Sequence, residues 1–329
     1  MKAVRYHDFG GPEVLRCEDV ERPTPGAGQV RIQVTATSFN GIDAALRAGR
    51  LQGSLPLRLP HTPGPDVTGT IDALGEGVDD EDGLRVGDAV IALLPMDGDG
   101  GSAEYAIAPA QALAGVPRNV PLAEAAALPL VGLTAWQALF DHGRLVAGQR
   151  VLIHGAGGVV GGYAVQLARE VRAHVIAAVG PRDVGRVCAV GVDEVIDHTT
   201  ELTAALSDPV DLVVNLAPTT SRQLAALLPL VRDGGRLVNA AVDTAFGASA
   251  PCDESRGVQG IDVFVRSDAD QLADLVARVC TGELLLDVTR RVALADLPAL
   301  HAQAEAGTSP GKVVVLVHPA PPAREVGNP

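Results

Sequence analysis

The chain has 329 residues, 47% of them hydrophobic and 20% charged, which suits two globular domains and gives no sign of disorder. A net charge of −14 with no basic cluster argues against a nucleic-acid surface, because phosphate neutralisation needs grouped lysine or arginine. Lysine base or Schiff-base chemistry has almost no candidates, since the only lysines are Lys2 and Lys312.

From Met1 to about Pro117 the sequence runs in short β-like stretches between glycines and prolines: "VLRCEDV", "QVRIQVTATSF", "DVTGTIDALG", "GDAVIALL" and "AEYAIAPA". That spacing predicts a compact, mostly β domain. "DDEDG" at 79–83 and "MDGDGG" at 96–101 read as exposed loops, and neither carries the twelve-residue calcium pattern. After the helical "NVPLAEAAALPLVGLTAWQALFDHG", strands alternate with helices through Arg266. Strands are predicted at Val151–His154, His174–Val179, Glu194–Asp197, Asp211–Leu216, Gly235–Ala240 and Asp262–Arg266, with helices such as Gly161–Glu170 and Ser221–Val231 between them. The alternation is that of a doubly wound parallel sheet, so the fold class is α/β. The tail offers a helix in "DADQLADLVARV", a strand near "LDVTRRVAL", a helix at Leu297–Ala306 and a strand in "GKVVVLV", with no structure expected after Pro319. The reading is a β domain of residues 1–120 completed by 267–329, and an α/β domain of residues 121–266.

Cys17, Cys188, Cys252 and Cys280 lie far apart with no C-x-x-C spacing, which disfavours a zinc lobe and a disulfide framework. Free thiols, an N-terminus without signal-peptide character and no apolar run of 18 residues predict a cytoplasmic protein without a membrane partner.

"VLIHGAGGVVGGYAVQLA", from Val151 to Ala168, carries the chemistry. A β-branched run breaks into glycines and then becomes a helix: a strand, a phosphate-cradling turn and the positive end of a helix dipole. Gly155, Gly157, Gly158, Gly161 and Gly162 let the backbone turn tightly and approach a phosphate.

Together with "SFNGIDAALRAG", "PHTPGPDVTGTI", "GGSAEYAIAP", "AAALPLVGLTAWQAL", "GGRLVNAA" and "GKVVVLV", this stretch resembles the zinc-independent, quinone oxidoreductase-like branch of the medium-chain dehydrogenase/reductase superfamily over nearly the whole chain. The resemblance implies a GroES-like β domain, a Rossmann domain with a parallel sheet, and a homodimer. It implies a dinucleotide held at Ala156, Gly157, Gly158, Val159, Val160, Gly180, Leu216 and Ala240. The second strand ends on the neutral Val179 and Gly180, with Arg182 following and Arg186 in reserve, which favours NADPH over NADH. Where zinc-dependent members have Cys and His-Glu, this chain has Asn40 and Pro65-Asp66, so no metal is expected. Asn40, Asp43 and Thr134 are the catalytic candidates, although Asn40 and Asp43 also suit a turn cap before "AALRAG". His61, Tyr105 and Tyr163 read as structural. The expected activity is NADPH-dependent hydride transfer to a quinone or an α,β-unsaturated carbonyl. The alternatives are a metal-independent carbonyl reductase, a polyketide-tailoring reductase, or a non-catalytic NADPH-binding or sensing protein.

Overall fold

The computed structural model describes residues 1–79, 83–200, 202–241, 249–308 and 311–317; most of the "DDEDG" loop and everything after Pro319 lie outside them. The chain opens with β1 (Lys2–Arg5), paired antiparallel with β2 (Arg16–Asp19). The eleven-residue β3 (Gln29–Phe39) follows, with Val30, Ile32, Val34 and Ala36 fully buried at every second position. That period of two puts one face into a core, worth about 1.5–3 kcal/mol per fully buried aliphatic side chain. A short helix, α1 (Gly41–Arg47), leads toward β4 (Asp66–Leu74), and β5 (Ala89–Leu93), β6 (Tyr105–Pro109) and β7 (Leu113–Gly115) come next. β3 pairs antiparallel with both β4 and β6, and Val30, Ile32 and Val34 pack with Val67, Ile71 and Val90.

After α2 (Leu122–Ala125) and α3 (Pro129–Trp136), the pattern changes. The order is β8 (Arg150–His154), α4 (Val159–Glu170), β9 (His174–Val179), α5 (Val184–Val190), β10 (Glu194–Asp197), α6 (Leu202–Ala205), β11 (Val210–Asn215), α7 (Ser221–Ala225), β12 (Val231–Asn239) and β13 (Gln259–Asp262). The strands form one parallel sheet in the order β10-β9-β8-β11-β12-β13. Val151–Ile153 and Val175–Ala178 are fully buried in continuous runs, as a parallel sheet covered on both faces requires. Two expected elements are corrected. The last strand ends at Asp262, not Arg266, because the Arg266 N–H donates to Gln137 Oε1 at 3.0 Å instead of continuing the ladder. The helix expected to reach Val231 stops at Ala225 and gives way to a 3₁₀ turn at Leu228–Leu230, where Pro229 supplies no N–H.

Next comes α8 (Ala269–Thr281), which buries Leu272, Leu275 and Val276. Its Arg278 pairs with Glu170 of α4 at 2.9 Å, and its Gln271 accepts from Gln137 at 3.0 Å. These contacts hold residues 267–287 in the parallel-sheet unit, not with the β domain where the sequence reading put them. β14 (Val288–Ala293), α9 (Leu297–Glu305) and β15 (Lys312–Leu316) then return to the first unit. β15 pairs antiparallel with β3 and parallel with β14, completing a seven-stranded sheet. The two compact units are therefore Met1–Pro129 with the chain from Val288 on, and Leu130–Asp287.

Candidate functional site

In the second unit the site begins where β8 stops. Gly155 has φ +88°, and a Cβ there would lie 2.9 Å from the Ala217 amide nitrogen, so the turn needs glycine for both conformation and space. A Cβ at Gly161 would collide with the carbonyl oxygens of Gly155 and Ala156, which seats α4 tightly under the turn. Gly158 caps α4 without a side-chain acceptor, and a helix of twelve residues leaves its first N–H groups, among them those of Val159 and Val160, for an anion.

Beside this turn lies a cavity of about 810 Å³ whose lining includes Gly155, Gly157, Gly158, Gly180, Asp183 and His198. Of the expected cofactor residues, Gly157, Gly158 and Gly180 line it directly. Ala156 is fully buried beneath the turn. Leu216 and Ala240 continue β11 and β12, donating backbone N–H groups to His154 at 2.9 Å and Asn215 at 2.9 Å. Arg182 stands exposed and outside the lining, whereas its neighbour Asp183 lies against Gly157 in the cavity. Arg186, the reserve candidate, pairs with Asp287 at 2.9 Å. Sequence reasoning missed His154, His198, Thr219 and Gln223, which all line the cavity. For His154 the available signal was its place at the carboxyl end of a parallel strand, where such sheets bind ligands.

The first unit holds a different polar cluster. The Asp43 carboxylate accepts the Asn40 N–H at 2.8 Å and the Gly64 N–H at 3.1 Å. Burial pushes the Asp43 carboxyl up to about 7; its two N–H donors oppose that rise, the Asp66 charge adds to it and the Lys312 charge works against it. Asp43 thus caps the turn, but the Asn40 side chain does not. Asn40 Nδ2 donates to Asp66 Oδ2 at 2.8 Å and to the Ser38 carbonyl at 3.4 Å, while its Oδ1 accepts from Lys312 Nζ at 2.6 Å. Lys312 also donates to Asp66 Oδ2 at 3.2 Å, and Ser38 Oγ bonds the same oxygen. Both Asn40 amide protons are engaged inside the fold. Lys312, discounted from composition, is only 2% exposed and joins Asn40 across 272 residues of sequence. His61 is buried with its ring edge-on to Tyr6 at 5.3 Å, and burial lowers its pKa. Thr134, in the second unit, is buried in α3 and donates its hydroxyl to the Leu130 carbonyl at 2.6 Å. Tyr163 is buried in α4, and Tyr105 lies under the Arg22 guanidinium at 4.0 Å.

Residues 26–118 match the alcohol dehydrogenase GroES-like domain family, and residues 190–315 match the zinc-binding dehydrogenase family. The chain is 32% identical to the chloroplastic quinone-oxidoreductase QR1 of Triphysaria versicolor over 96% of its own length and 98% of the relative's. It is 40% identical to the chloroplast envelope quinone oxidoreductase homolog of Arabidopsis thaliana, over 64% of each chain. Among solved structures it is similar to an NAD-dependent alcohol dehydrogenase (30% identity, TM-score 0.84, 97% of this chain and 100% of that one). It is also similar to a mycobacterial protein complexed with NADPH (29% identity, TM-score 0.81, 96% and 100%). The donor set does not fit the metal that the second family's description implies. Among the described residues no three His, Cys, Asp or Glu side chains gather as ligands, and Asn40 and Asp66 hold a lysine ammonium between them. No helix among those residues is long and apolar enough to cross a membrane.

Proposed function

The chain belongs to the quinone oxidoreductase-like family of the medium-chain dehydrogenase/reductase superfamily, and from that premise we propose that it is an NADPH-dependent reductase of quinones or α,β-unsaturated carbonyls. The observation that carries the reading is the glycine-lined cavity at the carboxyl ends of the parallel strands. The backbone at Gly155–Gly158 and the first turn of α4 would hold the pyrophosphate, with Gly180 and its neighbours around the adenosine ribose. When bound, the reduced nicotinamide supplies a hydride, and the protein supplies alignment and electrostatics.

Support for a conjugated acceptor comes from where the polar side chains spend their donors. Asn40 gives both amide protons to Asp66 and Ser38, and Thr134 gives its hydroxyl proton to Leu130. An isolated ketone demands preorganised donors for its developing alkoxide, whereas an enone or quinone spreads the charge over an enolate or hydroquinone anion. Support for NADPH is the neutral end of β9 with Arg182 exposed just beyond it. A reducing cytoplasm suits the exposed thiols of Cys17, Cys188 and Cys252.

The test follows NADPH oxidation across quinones, enones and isolated ketones, then locates deuterium delivered from labelled NADPH. Label on the β carbon of the reduced enone, with the α proton drawn from solvent, is the expected result. Label on the carbonyl carbon of a saturated alcohol would instead establish a carbonyl reductase.

A further inference from the structure

We propose that His154 is a ligand-binding residue of the cavity, held as its Nδ1–H tautomer so that Nε2 offers a lone pair to a ribose hydroxyl of the bound nucleotide. The ligand assignment rests on the nucleotide reading above; the proton at Nδ1 stands on geometry alone. Four polar side chains end neighbouring strands at one level of the parallel sheet. His154 of β8 is in register with Asn215 of β11, Asn215 with Asn239 of β12, and Asn239 with Asp262 of β13. They form a continuous hydrogen-bonded ladder.

Its direction follows from the ends. The Asp262 carboxylate accepts only, taking the Ser249 hydroxyl at 2.6 Å, the Ala250 N–H at 3.0 Å and Asn239 Nδ2 at 2.8 Å. The Asn239 amide therefore turns its NH₂ toward Asp262 and its oxygen toward Asn215, whose Nδ2 donates to it at 2.9 Å. The Ala217 carbonyl, another pure acceptor, fixes Asn215 the same way at 3.1 Å. Asn215 is left with only its oxygen for His154 Nδ1, 2.7 Å away, so the proton sits on Nδ1. Burial, with the neighbouring His198 adding to it, lowers the pKa of this imidazole against the opposing Asn215 hydrogen bond, which favours the neutral ring. A neutral ring protonated at Nδ1 has an acceptor at Nε2.

His154 lines the cavity, and no hydrogen bond among the described residues takes up Nε2. An acceptor there selects donors: phosphate and carboxylate groups are excluded, and hydroxyls are not. Since His154 immediately precedes the phosphate-cradling Gly155–Gly158 turn, the hydroxyls within reach are those of the riboses flanking a pyrophosphate, one sugar nearer than the adenine amine. Asn215, Asn239 and Asp262 act as positioning residues.

Long-range ¹⁵N–¹H correlation spectra of the full-length protein, labelled at histidine nitrogen, read the tautomer directly. The expected pattern for His154 is Nδ1–H with an unprotonated Nε2; an Nε2–H pattern overturns the proposal. Titration with ADP-ribose and with 2′,5′-ADP then tests the contact. His154→Phe, which keeps a ring but no acceptor, should raise the dissociation constant about 3- to 10-fold. Loss with both probes assigns the adenosine 3′-hydroxyl, and loss with ADP-ribose alone assigns the adenosine 2′-hydroxyl or the other ribose. Unchanged binding of both by a folded His154→Phe overturns the contact. Asn239→Leu, outside the cavity lining, should mix the His154 tautomers and weaken the same probes; a tautomer unmoved by that change breaks the ladder argument. If the wild-type protein binds neither probe, NADPH nor NADH, the nucleotide reading fails while the tautomer result stands.

Discussion

The two units present two ways of building polarity into a fold. In the parallel-sheet unit the glycine turn is made of backbone from one contiguous stretch, and no side chain of its cap residue takes up the first helical N–H groups. In the β unit, Ser38, Asn40, Asp66 and Lys312 form a closed knot of side chains in which each group answers another, and Lys312 and Asp66 are 2% and 0% exposed. A buried ion pair of this kind costs desolvation that only its complete set of partners offsets. Damage to the knot should therefore fall on stability, and damage to the turn on ligand affinity.

The largest expected effect is at the knot. Lys312→Met leaves Asp66 buried without its cation and should remove about 3–5 kcal/mol of stability, read by urea unfolding at pH 7. Lys312→Arg keeps the charge and should lose less. A loss below about 1 kcal/mol for Lys312→Met, ordinary for an exposed pair, would erase the contrast between the units.

Asp43 sharpens the same side through pH. Its folded carboxyl, pushed up to about 7, holds a proton that the unfolded chain releases near pH 4. The native state thus binds more protons between those limits, and stability falls as pH rises through the window by at most about 1.4 kcal/mol per pH unit. Asp43→Asn should flatten this part of the profile between about pH 4 and pH 7. An equally steep profile in the variant would assign the slope to other groups.

On the other side, Gly161→Ala drives a Cβ into the carbonyl oxygens of Gly155 and Ala156, whereas Gly162→Ala meets nothing within 4 Å. Overpacking of about 1–3 kcal/mol at Gly161 should displace the turn and weaken NADPH binding roughly tenfold or more. Gly162→Ala should leave binding intact and stabilise the helix by about 0.5–1 kcal/mol. Equal binding by the two variants would show that the turn tolerates displacement.

The same contrast explains what was legible from sequence. β3 was read to the residue and the strand–glycine–helix unit nearly so, because alternation and turn chemistry are local and each residue's neighbours in sequence decide them. The knot was not legible: Asn40 and Asp66 were each noticed, but nothing local says that the amide of one would be taken by a lysine 272 residues away. "LVRDGG" hid the start of β12 for a related reason. Its Asp-Gly-Gly reads as a turn, and only pairing with β11, through a register shift between Val210 and Leu212, makes the segment a strand.

The smallest effect concerns coenzyme choice at the mouth of the glycine turn. Arg182 is exposed and Asp183 lines the cavity, so an arginine contact to a 2′-phosphate would be made through solvent and weakened by salt. Arg182→Ala should raise the NADPH dissociation constant about 3- to 10-fold at low ionic strength and leave NADH unchanged. Asp183→Asn should act in the opposite sense for NADPH, since removing a charge from the cavity wall relieves repulsion of a phosphate and leaves a ribose hydroxyl of NADH a weaker, neutral acceptor. The informative measurement is the ratio of the two dissociation constants in each variant. A parallel loss for both coenzymes in Arg182→Ala would tie that side chain to the start of α5. Opposite shifts of the ratio in the two variants would make this pair of neighbours the coenzyme selector.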